Sequence, residues 1–124
     1  MATTTKMSTA QVDALIDRAH AAGMSAGTHS TPDPMGVRDS RTGQTWVVEG
    51  GPCGFAWVNV RPGTSQVAKR LRERKIGDKA YEGGVSVWVM HFHQSMARKE
   101  AYAYAFAKVL NDAGITASVG SRMD

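Results

Sequence analysis

The stretch "GGPCGFAWVNVRPG", residues 50 to 63, decides how the chain is read. It holds the only cysteine, Cys53, two residues before Phe55 and four before Trp57. Two readings compete: a nucleophile displayed on a tight turn, or a bend that feeds a strand. The residues that follow, "GFAWVNV" (54–60), alternate, are rich in β-branched and aromatic side chains, and run into Pro62. That is a strand pattern. A catalytic thiolate gains from a helix N-terminus, whose dipole lowers its pKa, and no helix follows Cys53. The pattern therefore predicts a hairpin in which "TWVVE" (45–49) turns through "GGPC" into 54–60, with Cys53 a small buried residue at the bend.

Working outward, Thr64 or Ser65 can cap a helix running to about Ile76, with Val67, Ala68 and Leu71 inward and Gly77 as its stop. "GGVSVWVMHFH" (83–93) carries the strongest strand signal in the chain. Its alternation sets Val85, Val87, Val89, His91 and His93 on one side, and Trp88, Met90 and Phe92 on the other. Ser95 caps a long helix whose Ala103, Phe106, Ala107, Leu110 and Ala113 share a face, Gly114 ends it, and "ITASV" (115–119) returns as a strand. Upstream, Val12, Leu15, Ile16, Ala19 and Ala22 mark a helix that starts at Ser8 or Thr9 and that Gly23 is placed to close.

Residues 24–43 are rich in Gly, Pro, Ser and Asp and read as a long loop, and residues 1–8 as a flexible tail. The predicted order is α-β-β-α-β-α-β, within a single domain over residues 9–124. The fold class is α+β, a two-layer sandwich with a mixed sheet of about four strands, because strand–helix–strand units favour parallel crossovers and the hairpin adds an antiparallel pair.

Composition limits the possibilities. At 124 residues, 42% hydrophobic and 21% charged, the chain is in the ordinary globular range. No apolar run approaches the roughly 20 residues of a membrane span, so no membrane association is expected. The first residues lack an export pattern, and one cysteine cannot form an internal disulfide, which fits a cytoplasmic setting. The diglycines at 50–51 and 83–84 match no phosphate-binding loop, and no motif asks for a cofactor.

The net charge of +4 is localised, since residues 69 to 79 hold six basic and two acidic side chains and the remainder is neutral. Lys69, Arg70, Arg72 and Arg74 surround the outside of the second helix. Such a row can contact phosphates or an acidic protein surface, or can simply be a solvated face. His91 and His93, two apart on a strand, form half of a metal site that His20, His29 or Cys53 would have to complete, although no Cys-x-x-Cys or His-Glu-x-x-His spacing supports it. A Cys–His hydrolase using Cys53 with His91 or His93 is the enzymatic alternative. Trp46, Trp57 and Trp88 can stack on bases, but strand tryptophans are more often core. The third strand, apolar on both sides, suggests a face closed by a second copy in a homodimer, or by the first helix and the long loop.

Assembled, the segments "CGFAWVNVRP", "YEGGVSVWV", "QSMARKEAYAYAFAKVLNDAGI" and "SRMD" resemble a group of short proteins of tailed bacteriophages and prophages, over most of residues 9–124. The resemblance implies a phage gene expressed in a bacterial cytoplasm, and it supplies no catalytic residue, cofactor or substrate. The expectation is a small accessory protein, non-enzymatic and homo-oligomeric, that binds a host protein, a phage protein or nucleic acid through the basic helix. The "SRMD" ending suggests an ordered C-terminus, with Arg122 and Asp124 held against the body.

Overall fold

Serine opens each of the three helices. Ser8 caps α1 (Thr9–His29), Ser65 caps α2 (Gln66–Glu73) and Ser95 caps α3 (Met96–Asp112). In each, the hydroxyl oxygen accepts a backbone N–H one turn on, satisfying a donor that the helix itself leaves orphaned. At α1 the Gln11 side chain reciprocates by accepting from the Ser8 N–H, completing a capping box. The structure, a computed structural model, describes residues 6–31, 35–38, 40–48 and 51–124, excepting the side chains of 35–38 and 46–48. Most of the expected tail and the side chain of Trp46 therefore lie outside the described residues. Met7, at the end of that tail, is tied down: its backbone exchanges two hydrogen bonds with the Gln66 side chain.

The strands are β1 (Met35–Arg38), β2 (Thr45–Val48), β3 (Gly54–Arg61), β4 (Asp78–Lys79), β5 (Val85–Trp88) and β6 (Thr116–Met123). The sequence α1, β2, β3, α2, β5, α3, β6 is the expected order, to which β1 and the two-residue β4 are additions. The fold is α+β, with a four-stranded sheet in the order β4-β5-β3-β6. Helix α3 lies against β3 and β6, α2 against β3, β4 and β5, and α1 packs along α3 and onto α2.

Every pair in the sheet is antiparallel, whereas parallel pairs were also expected. The crossovers do join strands of like direction, β3 to β4 through α2 and β5 to β6 through α3. Each such pair is split by a strand running the other way, β5 in the first case and β3 in the second. This is the split β-α-β-β-α-β arrangement, with α1 added in front.

The predicted hairpin is corrected by the same register. β2 pairs with β1 in a separate two-stranded sheet, and β3 takes β5 and β6 as its partners. Nor is 24–43 one long loop, since α1 runs on to His29 and β1 occupies 35–38. Gly23 does not close α1. It is buried mid-helix, where an added Cβ would come within 2.6 Å of the Tyr102 ring, and a Cβ on Gly27 within 2.3 Å of Phe92. The glycines let α1 approach the aromatic side chains beneath it.

One core unites the helices and the inner face of the sheet. Val12, Leu15, Ile16 and Ala19 of α1 join Val67, Ala68 and Leu71 of α2, Ala103, Phe106, Ala107 and Leu110 of α3, and the strand residues Ala56, Val58, Val60, Val85 and Val87. Ala113 of the predicted α3 stripe is exposed. The ladder of β5 ends at Trp88, but the expected alternation holds through Met90, with Val85, Val87 and Val89 buried and Trp88 and Met90 exposed. Beyond Val89 the chain leaves the sheet and reverses through Phe92 and His93, both in left-handed backbone at φ 68° and 51°.

Candidate functional site

The basic helix is less free than its sequence suggests. The Arg70 guanidinium makes a two-pronged bond to Asp13 of α1, Nε to Oδ1 at 2.8 Å and Nη2 to Oδ2 at 3.1 Å. Arg74 reaches Asp17 at 3.2 Å and Asp13 at 3.5 Å. The Arg70 hydrogen bond holds the Asp13 carboxyl below its usual value, and the carboxylate in turn raises the already high Arg70 value. Two of the four proposed contacts thus fasten α2 to α1. Lys69 and Arg72 stay exposed, without an ion pair among the described residues.

His91 and His93 do not share a strand face, because β5 ends before them. His91 turns toward α1 and α3, with its ring 5.5 Å from that of His20 and 5.9 Å from that of Tyr102. His20 Nδ1 lies 2.6 Å from the Tyr102 hydroxyl, and burial pushes the Tyr102 phenol up to about 12. His93 lines a different groove, with Cys53, Phe92 and Arg98. His29 is engaged with the Ser25 carbonyl at 2.7 Å. Among the described residues no group of three potential ligands is placed to hold a metal ion.

Cys53 is exposed rather than buried at a hairpin bend. It forms an isolated antiparallel bridge with Ser95, flanked by the bonds Gly54 N–H to Gln94 O and Met96 N–H to Pro52 O. The start of β3 is therefore stitched to the start of α3, bringing to Cys53 a helix terminus that lies more than forty residues away in sequence. Among the described residues no hydrogen bond joins its sulfur to an imidazole, the geometry a Cys–His pair requires.

Trp57 and Trp88 stand out in the sequence as possible stacking residues, but the sequence does not assemble them on one surface, the outer face of the sheet. Residues paired across an antiparallel ladder point to the same side, so β3 sets Phe55, Trp57, Asn59 and Arg61 outward, opposite Ala56, Val58 and Val60. Beside them lie Trp88 and Ser86 of β5, and Arg122, Gly120 and Ser118 of β6. The Trp57 and Trp88 rings sit 4.7 Å apart, and Phe55 meets Trp88 edge-on at 6.2 Å. Trp57 covers Gly120, where a Cβ would come within 2.4 Å of the indole. Asn59 is buried and satisfied, donating to Gly83 O and Ser86 Oγ while accepting from Arg61 Nε at 2.7 Å.

The lower end of this face opens into a hollow of about 360 Å³ lined by Phe55, Trp88, Met90, His93, Lys99 and Arg122. Lys99 is buried, its ammonium donating to the Gly54 carbonyl at 3.2 Å. Both the Lys99 ammonium and the Arg122 guanidinium lie 5.3 Å from the centre of the Phe55 ring. Neither is in an ion pair among the described residues. The expected ordering of the C-terminus is met here: β6 pairs with β3 along its whole length, and the Asp124 N–H donates to Cys53 O. Compared with family models, curated proteins and solved structures, the chain has no match.

Proposed function

We propose that this chain is a non-enzymatic binding module, a phage-type accessory protein of a bacterial cytoplasm, that docks a macromolecular partner on the outer face of its sheet. One observation carries the reading: Met90 is 84% and Trp88 41% exposed, beside the partly buried rings of Phe55 and Trp57 and bordered by arginines. Apolar surface rimmed by charge is the usual mark of an interaction site. The basic helix, with Arg70 and Arg74 turned to α1, contributes Lys69 and Arg72 as a secondary contact.

Immobilised protein challenged with bacterial lysate, with and without nuclease, tests the reading. Retention of a partner by wild type, and its loss in Trp88→Ser/Arg122→Glu, is expected. Loss only in Lys69→Glu/Arg72→Glu would move the site to α2, and retention by both variants would sink the reading.

A homodimer through the same face is the second reading, favoured by the exposure of Trp88 and Met90. Sedimentation checks it, since a large apolar interface holds at micromolar concentration.

A further inference from the structure

We propose that the outer face of the sheet binds single-stranded nucleic acid, with a base stacked on Trp88 and a phosphate held by Lys99 and Arg122 in the hollow beside Phe55. The inference rests on the binding-module reading and names its partner.

Charge comes first. The hollow brings together a buried ammonium and an arginine, with His93 beside them and no carboxylate in its lining among the described residues. An ammonium carries three donors, and the Gly54 carbonyl is the hydrogen-bond acceptor of Lys99 here. Donors remain for an anion, and a buried cation without a counter-charge favours one strongly. A second copy of this chain is a poorer occupant. The outward side chains of β3 and β6 include two arginines and no carboxylate, and among the described residues the sheet's outer face gains one only at the far edge, from Asp78, which pairs with Ser86.

Shape and chemistry choose the kind of anion. An isolated phosphate would not use the aromatic rings that adjoin the hollow. A base has a π-face that stacks on tryptophan whatever its identity, and stacking is open to bases that are unpaired. Phe55 and Trp57 lie on β3 and Trp88 on β5, the two central strands, so the rings form one surface in the middle of an open sheet. That is how four-stranded sheets stack two or three bases of a single strand. From Phe55 to Arg61, β3 spans about 20 Å at about 3.3 Å per residue, so a strand laid along it meets Arg122 near one end and Arg61 at the other. Duplex offers its bases only by their edges and has no π-face to give this surface.

The test is a titration of the full chain with a labelled oligothymidylate or oligouridylate about a dozen nucleotides long, against a duplex of the same length. Expected are anisotropy increase and quenching of tryptophan fluorescence with the single strands, weaker binding to duplex, and a log–log salt slope of about −1.4 for two neutralised phosphates, one between Lys99 and Arg122 and one at Arg61. Trp88→Ala should weaken binding roughly 5- to 150-fold, Arg61→Gln should make the slope shallower by about 0.7, and Arg122→Gln should weaken binding at low salt. All three positions are exposed, and circular dichroism melting verifies that each variant folds.

Equal affinity for duplex, equal affinity for a mononucleotide, or indifference to Trp88→Ala would each overturn the inference. So would loss of the face to self-association by sedimentation. If lysate retention depends on Trp88 while neither oligonucleotide binds, the inference falls and the binding module stands. If retention is also independent of Trp88, both fall.

Discussion

The Tyr102 hydroxyl of α3 lies 2.6 Å from His20 Nδ1 of α1, and the same ring lies against Gly23 one turn further along α1. A single side chain therefore makes both a polar contact and a tight packing contact between the two longest helices. Burial raises the phenol to about 12, so the hydroxyl keeps its proton across the working pH range.

An alkaline titration should show this. An unfolded tyrosine ionises near 10, and Tyr102 in the fold near 12. The raised value means that stability is fully present below about pH 10 and falls as pH rises toward 12. Absorbance at alkaline pH should contain a late phase that Tyr102→Phe removes. The same variant should lose about 1 kcal/mol at neutral pH with its hydrogen bond. A titration unchanged by Tyr102→Phe would refute the assignment.

Gly23→Ala and Gly27→Ala oppose two effects. Alanine improves helix propensity by about 1 kcal/mol, but its Cβ would lie 2.6 Å from Tyr102 in one case and 2.3 Å from Phe92 in the other. Overpacking costs about 1–3 kcal/mol and should win at both sites, most clearly at Gly27, where the Phe92 ring sits on left-handed backbone. Denaturant unfolding checks it. Stabilisation by either alanine would show that the helices can separate without loss.

These sites also mark where local pattern stopped being informative. The serine caps, the stop at Gly114 and the alternation of Val85 and Val87 depend on near neighbours, and all are present. Gly23 reads as a cap until Tyr102, 79 residues away in the chain, is seen to need its space. The β2–β3 hairpin fails for a similar reason, because β3 finds its register with β5 and β6, both further along the chain.

The candidate site followed the same rule. Trp57 and Trp88 were visible as possible stacking residues, but which face of the sheet the helices would cover was not. Lys99 and Arg122 meet at Phe55 only when β6 pairs with β3 and α3 lies across it. One signal was readable: Asp13 and Asp17 sit i, i+4 on α1, the same spacing as Arg70 and Arg74 on α2.

The Asp13–Arg70 pair has its own pH signature. Because the folded value of Asp13 is lowered, its contribution is present above the unfolded value of about 3.9 and is lost as pH falls through the folded value. Asp13→Asn should melt below wild type at neutral pH, and the gap should close only in acid below about pH 4. A gap of constant size down to acid pH would mean that the ion pair contributes nothing and that the asparagine acts through packing.

The last prediction separates the structural arginines of α2 from its free cations. Arg70→Glu/Arg74→Glu would set glutamates against Asp13 and Asp17, turning two attractive contacts into repulsive ones between α1 and α2. That double variant should melt markedly lower than wild type, so any loss of binding in it reports on folding. Lys69→Glu/Arg72→Glu makes an equal change of charge at exposed positions that pair with nothing among the described residues. Surface changes of this kind move stability by about 0.5 kcal/mol or less, so its melting temperature should match wild type. With binding centred on Trp88 and Arg122 and α2 only a secondary contact, its affinity for oligothymidylate should fall far less than that of Trp88→Ala. A stable Lys69→Glu/Arg72→Glu protein that no longer binds would place the phosphate contacts on α2 and not on the sheet.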